Sequence, residues 1–190
     1  ACGQFDEADA AFQKTLEMSK FDESISCMCG RKWLAWGTAH RHRARQVLEQ
    51  CITRKSQKAP RALGMLGQIK QDDGDYVAAK RHYSASLALH DDAKMWYNMG
   101  TALAEDPSET FDAAVGAYQR AVELDSGLTK AWLNLGHSYK AIAMRELGFS
   151  PHATPDKKAR KFAGRQLELA RRAFARVVSD EGSDADADAD

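Results

Sequence analysis

The stretch Gly74-Asp75-Tyr76-Val77-Ala78-Ala79-Lys80-Arg81-His82-Tyr83 settles the architecture, because it recurs. It returns as Phe111-Asp112-Ala113-Ala114-Val115-Gly116-Ala117-Tyr118, and an N-terminal copy reads Gly3-Gln4-Phe5-Asp6-Glu7-Ala8-Asp9-Ala10-Ala11-Phe12. Between copies stand Trp96-Tyr97-Asn98-Met99-Gly100 and Trp132-Leu133-Asn134-Leu135-Gly136. Gly67, Gly100 and Gly136 are 33 and 36 residues apart, and Tyr83 and Tyr118 are 35 apart. Ala8 to Ala79 spans two periods, and the copy between them is degenerate but in register: Cys29-Gly30-x-x-Trp33, then Ala44-x-x-x-Leu48. Self-similarity at about 34 residues marks stacked supersecondary units, none of which can bury its apolar face alone. Such arrays present surfaces to partners, so the functional question moves from chemistry to surfaces.

The pattern has a direct physical reading. Trp96, Met99 and Leu103 sit at helical spacing and form one apolar stripe. Gly100 and Ala114 lack bulk, so two helices of a hairpin can approach closely, and Tyr83 and Tyr118 are expected to fill the gap towards the next hairpin. All of these residues read as core.

These residues resemble the tetratricopeptide repeat family, whose pattern is W-x2-L-G-x2-Y followed by A-x3-F in two antiparallel helices. Trp96, Met99, Gly100 and Leu103 with Ala114 and Tyr118 make one copy. Trp132, Leu135, Gly136 and Tyr139 with Ala170 and Phe174 make the next. Leu63, Leu66, Gly67, Ala79 and Tyr83 make a third, with Lys70 where an aromatic is usual. The resemblance implies an all-α, right-handed superhelix of stacked antiparallel hairpins over residues 1–178. The expected division is a half-repeat at 3–20, then repeats at about 23–57, 60–92, 93–127 and 129–178. The last is interrupted by an insertion at about 147–157, and residues 179–190 form an acidic low-complexity tail. The half-repeat would leave Phe5, Ala8, Phe12 and Leu16 uncovered. Either sequence is missing upstream or another surface covers them; the chain opens on Ala1 rather than Met, which reads as a processed form or a fragment.

Composition adds limits. Twenty-seven basic and 27 acidic residues balance, which by itself predicts neither a nucleic-acid nor a membrane partner. No run of 18 apolar residues exists, so no membrane-spanning segment is expected, and no secretory signal is visible. Of the four cysteines, Cys27, Cys29 and Cys51 lie near His40 and His42, but residues two apart on a helix point to nearly opposite sides, so no metal site and no cofactor are expected. A Cys29–Cys51 disulfide is one alternative; reduced thiols in an intracellular protein, cytoplasmic or organellar, is the favoured reading.

Charge is unevenly distributed. Residues 31–58 carry eight basic side chains and one acidic, with Arg31, Lys32, Arg41, Arg43 and Arg45 at their heart. Residues 157–176 carry eight basic side chains, Lys157, Lys158, Arg160, Lys161 and Arg165 among them, and only Glu168. These blocks could grip phosphates or an acidic protein; the plainer reading of the second is the solvated face of a terminal helix, which a repeat array needs for solubility. The tail from Asp180 has a composition that disfavours order and could fold back on the basic helix. In the insertion, Phe149 is the candidate anchor, and Thr154-Pro155 reads as a helix start.

In stacked hairpins the first helices line the concave surface. The resemblance therefore places a partner-binding groove at Arg61, Gly64 and Gln68; at Lys94, Tyr97, Asn98 and Thr101; and at Lys130, Leu133, Asn134, His137 and Lys140. Lys94 and Lys130 recur at one repeat position, as do Asn98 and Asn134. Amides can hold an extended peptide backbone and lysines can meet carboxylates. Asn98 and Lys130 also match two elements of the repeats that clamp the C-terminal carboxylate of chaperones. Asn134 stands where that clamp has an Arg, however, and Gly64 and Gln68 replace its first Lys and Asn.

No Gly-rich phosphate loop, nucleophile elbow or zinc-protease motif is present, and none of the six histidines has a recognisable catalytic partner. The expected function is a non-catalytic scaffold that binds other proteins, as adaptor, assembly factor or accessory subunit of a larger complex. The alternative is an RNA-associated helical-repeat protein using the two basic blocks. A regulatory fragment of a larger enzyme is a third reading.

Overall fold

The structure is a computed structural model that describes residues 2–37, 40–54, 59–148 and 157–185, with side chains from residue 7 to residue 178 of those spans. The described residues form nine α-helices: α1 (Cys2–Met18), α2 (Glu23–Ala35), α3 (Arg41–Arg54), α4 (Pro60–Asp72), α5 (Tyr76–Leu89), α6 (Ala93–Glu105), α7 (Phe111–Leu124), α8 (Thr129–Leu147) and α9 (Lys157–Ala185). Consecutive helices pack as antiparallel pairs, α2 with α3, α4 with α5, α6 with α7 and α8 with α9. Residues Ala1–Asp91 form one compact unit and Asp92–Asp190 a second.

Local chemistry sets the helix starts. Asp22, Asp75 and Asp92 each precede a helix and accept the backbone N–H of Ser24, Ala78 and Met95, which satisfies one otherwise orphaned donor per helix. Pro60 opens α4, where its fixed φ and missing N–H carry no penalty. Gly74 turns α4 into α5 at φ 78°, a left-handed conformation that side chains disfavour. Lys20 and Phe21 adopt the same region without being glycine, at φ 52° and 56°. Burial of Phe21, with the Arg54 guanidinium 4.4 Å above its ring, opposes that strain.

Each hairpin is closed by a glycine under a bulky side chain. A Cβ on Gly67 would lie 2.7 Å from the Tyr83 ring, one on Gly100 2.7 Å from Tyr118, and one on Gly136 2.5 Å from Phe174. Tyr83 and Tyr118 therefore seat on the first helix of their own hairpin, not primarily in the gap towards the next one. Tyr83 also donates its hydroxyl to Gln71 Oε1 of that same hairpin at 2.9 Å. In the degenerate copy Leu48 takes the aromatic's place, and a Cβ on Gly30 would meet it at 3.6 Å.

In the first unit, Trp33, Ala44, Leu48, Cys51 and Ile69 make the core. The apolar face of α1 is covered within the chain: Leu16 is 1% exposed, and Phe12 packs edge-on against Trp33 at 5.8 Å and stacks on Trp36 at 5.5 Å. The expectation of an uncovered face is thus corrected at Phe12 and Leu16; the Phe5 side chain lies outside the described residues. In the second unit, Ala114, Tyr118, Ala121, Leu135, Tyr139 and Ala170 form the core, with Trp96, Trp132 and Phe174 packed around it.

Two measurements follow from this packing. Gly100→Ala or Gly136→Ala should lower unfolding free energy by about 1–3 kcal/mol, because the ring beneath must shift. Gly116→Ala, whose Cβ meets nothing within 4 Å, should be neutral or stabilise by about 0.5–1 kcal/mol; urea unfolding of the three variants checks both. On α5, burial and then Arg81 and Lys70 hold His82 below its ordinary 6.5. Its neutral form is favoured in the fold, so its contribution is complete above pH 6.5 and declines as pH falls below that value. Thermal unfolding from pH 7.5 to 5 should show a steeper loss for the wild type than for His82→Gln.

Candidate functional site

The best-defined polar surface of the second unit lies where α6, α7 and α8 meet. Tyr97 from α6 is half-buried, its ring 6.1 Å from that of Tyr118 on α7. The Tyr118 hydroxyl donates to Thr101 Oγ1 on α6 at 3.4 Å and accepts from Asn134 Nδ2 on α8 at 3.4 Å. Thr101 in turn donates to the Tyr97 carbonyl at 3.0 Å. Three of the expected groove residues, Tyr97, Thr101 and Asn134, thus gather around one core tyrosine. Tyr118 itself reads from sequence as packing alone; nothing in the repeat pattern marks its hydroxyl as the link between first helices. Burial pushes the Tyr118 phenol above its usual range, so it stays a neutral donor.

Around this cluster stand the other expected residues. Lys94, Lys130 and Lys140 are exposed, Asn98 is half-buried without a hydrogen bond among the described residues, and Leu133 is 39% exposed. His137 is exposed and packs its ring edge-on against Phe174 of α9 at 5.2 Å. The surface therefore combines amide groups, an apolar spot and cations. One Asn134 side-chain N–H donates to Tyr118, while its second N–H and its side-chain carbonyl make no hydrogen bond among the described residues.

In the first unit the expected groove residues divide. Gln68 lines a cleft of about 410 Å³ with Leu34, Met65, Ile69 and the side chains of Arg31, Arg41 and Asp72. Arg61 is exposed outside that lining, where its backbone N–H donates to Glu23 Oε1 at 2.7 Å. Gly64 is buried, which corrects its placement on a ligand-facing surface. A second cleft, of about 520 Å³, opens between α1 and α3 over Leu16, Phe21, Trp33 and Val47, with Gln13, Gln46 and Gln50 among its lining. The Trp33 indole N–H donates to Asp9 there at 2.9 Å, and Arg43 pairs with the same carboxylate.

The first basic block is not a free patch. Arg41 pairs with Asp72 at 3.1 Å and Asp73 at 2.8 Å, Arg45 with Asp73 at 2.6 Å, and Arg43 with Asp9. Acidic residues remote in sequence meet these arginines once the hairpins stack, so the expectation of an open basic surface at Arg41, Arg43 and Arg45 is corrected. The second block is different: Lys157, Lys158, Arg160, Lys161 and Arg165 are all exposed on α9. Further along that helix Glu168 accepts hydrogen bonds from Arg171 and Arg172, which hold its carboxyl down at about 2. Phe149 and Thr154-Pro155 lie outside the described residues; α8 ends at Leu147 and α9 begins at Lys157.

Cys27, Cys29 and Cys51 are buried and form no disulfide with one another, and burial, reinforced by Glu23, pushes Cys27 up to about 12. Among the described residues no group of His, Cys, Asp or Glu could hold a metal ion. No described helix is long and apolar enough to cross a membrane.

If the Tyr118 ring rather than its hydroxyl carries the packing, Tyr118→Phe should cost less than about 1 kcal/mol, since both hydrogen bonds are long. Tyr118→Ala should cost about 3–5 kcal/mol. Chemical denaturation of both variants checks the order.

No family model matches this sequence, and no curated protein matches it significantly. Solved structures do. The crystal structure of MamA protein is 18% identical, with a TM-score of 0.68 over 97% of this chain and 86% of that one. MamA 41-end from Desulfovibrio magneticus RS-1 is 20% identical, with a TM-score of 0.66 over 94% of this chain and 86% of that one. An IFIT1 monomeric mutant solved with Gppp-AAAA is 16% identical, with a TM-score of 0.65 over 93% of this chain but 39% of that one. MamA and IFIT1 are both tetratricopeptide-repeat proteins. At these identities the likeness concerns fold alone, and the fold of this chain is the tetratricopeptide-repeat fold.

Proposed function

We propose that this protein is a non-catalytic scaffold that holds an extended segment of a partner protein against the first helices of its second unit. The single observation that carries this reading is the link Thr101–Tyr118–Asn134, which joins polar side chains of α6, α7 and α8 into one ordered surface. Asn98 and the free valences of Asn134 supply donors and acceptors for a peptide backbone, and Leu133 supplies an apolar contact. Lys94, Lys130 and Lys140 supply cations, which favours a segment bearing carboxylates. Adaptor, assembly-factor and accessory-subunit roles all use such a surface. Arg61 and the Gln68 cleft of the first unit would engage further parts of the same or another partner.

RNA is the second reading, supported by the exposed cations of α9 and by an IFIT1 structure that contains Gppp-AAAA. The pairing of Arg41, Arg43 and Arg45 with carboxylates weighs against it.

The test is affinity purification from nuclease-treated extract, followed by peptide titration of the segment that cross-links to Lys94 or Lys130. Asn98→Ala/Asn134→Ala and Lys94→Glu/Lys130→Glu should each weaken that peptide at least about tenfold. Unchanged affinity in both variants, or loss of every partner on nuclease treatment, would reject the groove.

A further inference from the structure

The cleft between α1 and α3 contains none of the residues of the second-unit surface, nor Arg61 or Gln68. α1 packs on α2 and α2 on α3, which leaves a space of about 520 Å³ between α1 and α3. That volume falls within the roughly 300–1,000 Å³ of ligand clefts. Arg43, Gln46, Val47 and Gln50 recur at steps of three and four residues, so they share one face of α3. Asp9, Gln13 and Leu16 share one face of α1 by the same spacing.

The charged pair in this lining is already satisfied. The Asp9 carboxylate accepts the Trp33 indole N–H at 2.9 Å and pairs with Arg43. The two charges cancel, so with His42 neutral the lining carries no net charge. A charged ligand would lose hydration there without meeting an opposite charge. Gln13 and Gln46 are exposed and Gln50 is half-buried, and none of the three makes a hydrogen bond among the described residues. The open polar groups of the cleft are therefore carboxamides, each with two N–H donors and one acceptor oxygen.

A peptide backbone has polar groups that repeat at the spacing of these amides. In an extended chain the N–H and C=O of one residue point to the same edge, and that edge repeats every second residue, at about 6.4–6.8 Å. Gln46 and Gln50, four residues apart, are separated by about 6 Å along the axis of α3. One carboxamide can serve residue i of a strand, and the other residue i+2. Gln13, on the α1 wall, is left for the opposite edge, which carries residue i+1. The side chains of a strand alternate across the plane of those edges, so every second one turns towards Leu16 and Val47.

We propose that this cleft binds an extended, uncharged peptide segment of a partner protein, its backbone held by Gln13, Gln46 and Gln50, independently of the surface on the second unit.

Selection of a random heptapeptide display library on the full chain tests this, with depletion on Gln46→Ala/Gln50→Ala. Alanine favours the helix at least as well as glutamine, so circular dichroism and thermal unfolding of that variant should match the wild type. The recovered peptides should be uncharged and should alternate apolar with polar residues. Gln46→Ala/Gln50→Ala should weaken them at least about tenfold, and Gln13→Ala should weaken them measurably. Methylation of alternate backbone nitrogens, which removes donors from one edge of the strand, should abolish binding. Lys94→Glu/Lys130→Glu should leave the affinity unchanged, which separates this cleft from the second-unit surface. Recovery of no peptide, recovery of charged peptides, or binding that survives backbone methylation would overturn the proposal. So would peptides that bind the glutamine variant as they bind the wild type and are lost in Lys94→Glu/Lys130→Glu, which would assign them to the second unit.

Discussion

The close approach of a glycine on one helix to a bulky side chain on the next is the constraint from which the rest of this molecule follows. At Gly67, Gly100 and Gly136 the facing ring occupies the space that a Cβ would need. That contact fixes how near the two helices of a hairpin come and how they are rotated about their axes. The rotation in turn decides which side chains line the core and which remain outside. Where Leu48 replaces the ring above Gly30, the contact loosens to ordinary van der Waals distance. The hairpin of α2 and α3 is also the one whose repeat pattern is most degenerate, and its core relies on Trp33, Cys29 and Cys51.

From that packing comes the surface proposed to bind a partner. Because the Tyr118 ring sits on Gly100, its hydroxyl emerges between α6 and α8, where it meets Thr101 and Asn134. A residue selected for packing thereby orders the amide of a residue available to a ligand. Preorganisation of this kind reduces the entropy lost when a flexible peptide binds.

Electrostatics acts at two levels. Within the first unit, Arg41 and Arg45 share Asp73, and Arg43 shares Asp9 with the Trp33 indole. These partly exposed pairs stabilise modestly, but they consume the positive charge that the sequence displays as a block. Along α9, by contrast, Lys157, Lys158, Lys161 and Arg165 are exposed, while Arg171 and Arg172 pair with Glu168. The same kind of charge is paired within the first unit and exposed at the start of α9.

The sequence by itself determined the repeat, the number and order of its helices and the residues of the core. Those rest on local periodicity, caps such as Asp75 and Asp92, and the small-residue and aromatic positions that recur at one period. Tertiary structure alone decided what the polar residues do. The covering of Phe12 by Trp33 and Trp36, the pairing of Arg41 with Asp72 and Asp73, the burial of Gly64 and the bridging role of Tyr118 all join groups far apart in the chain. The reason is physical. Helix formation and apolar patterning are encoded within a few turns, whereas the partner of a charge or a hydroxyl depends on which helices stack and at what rotation.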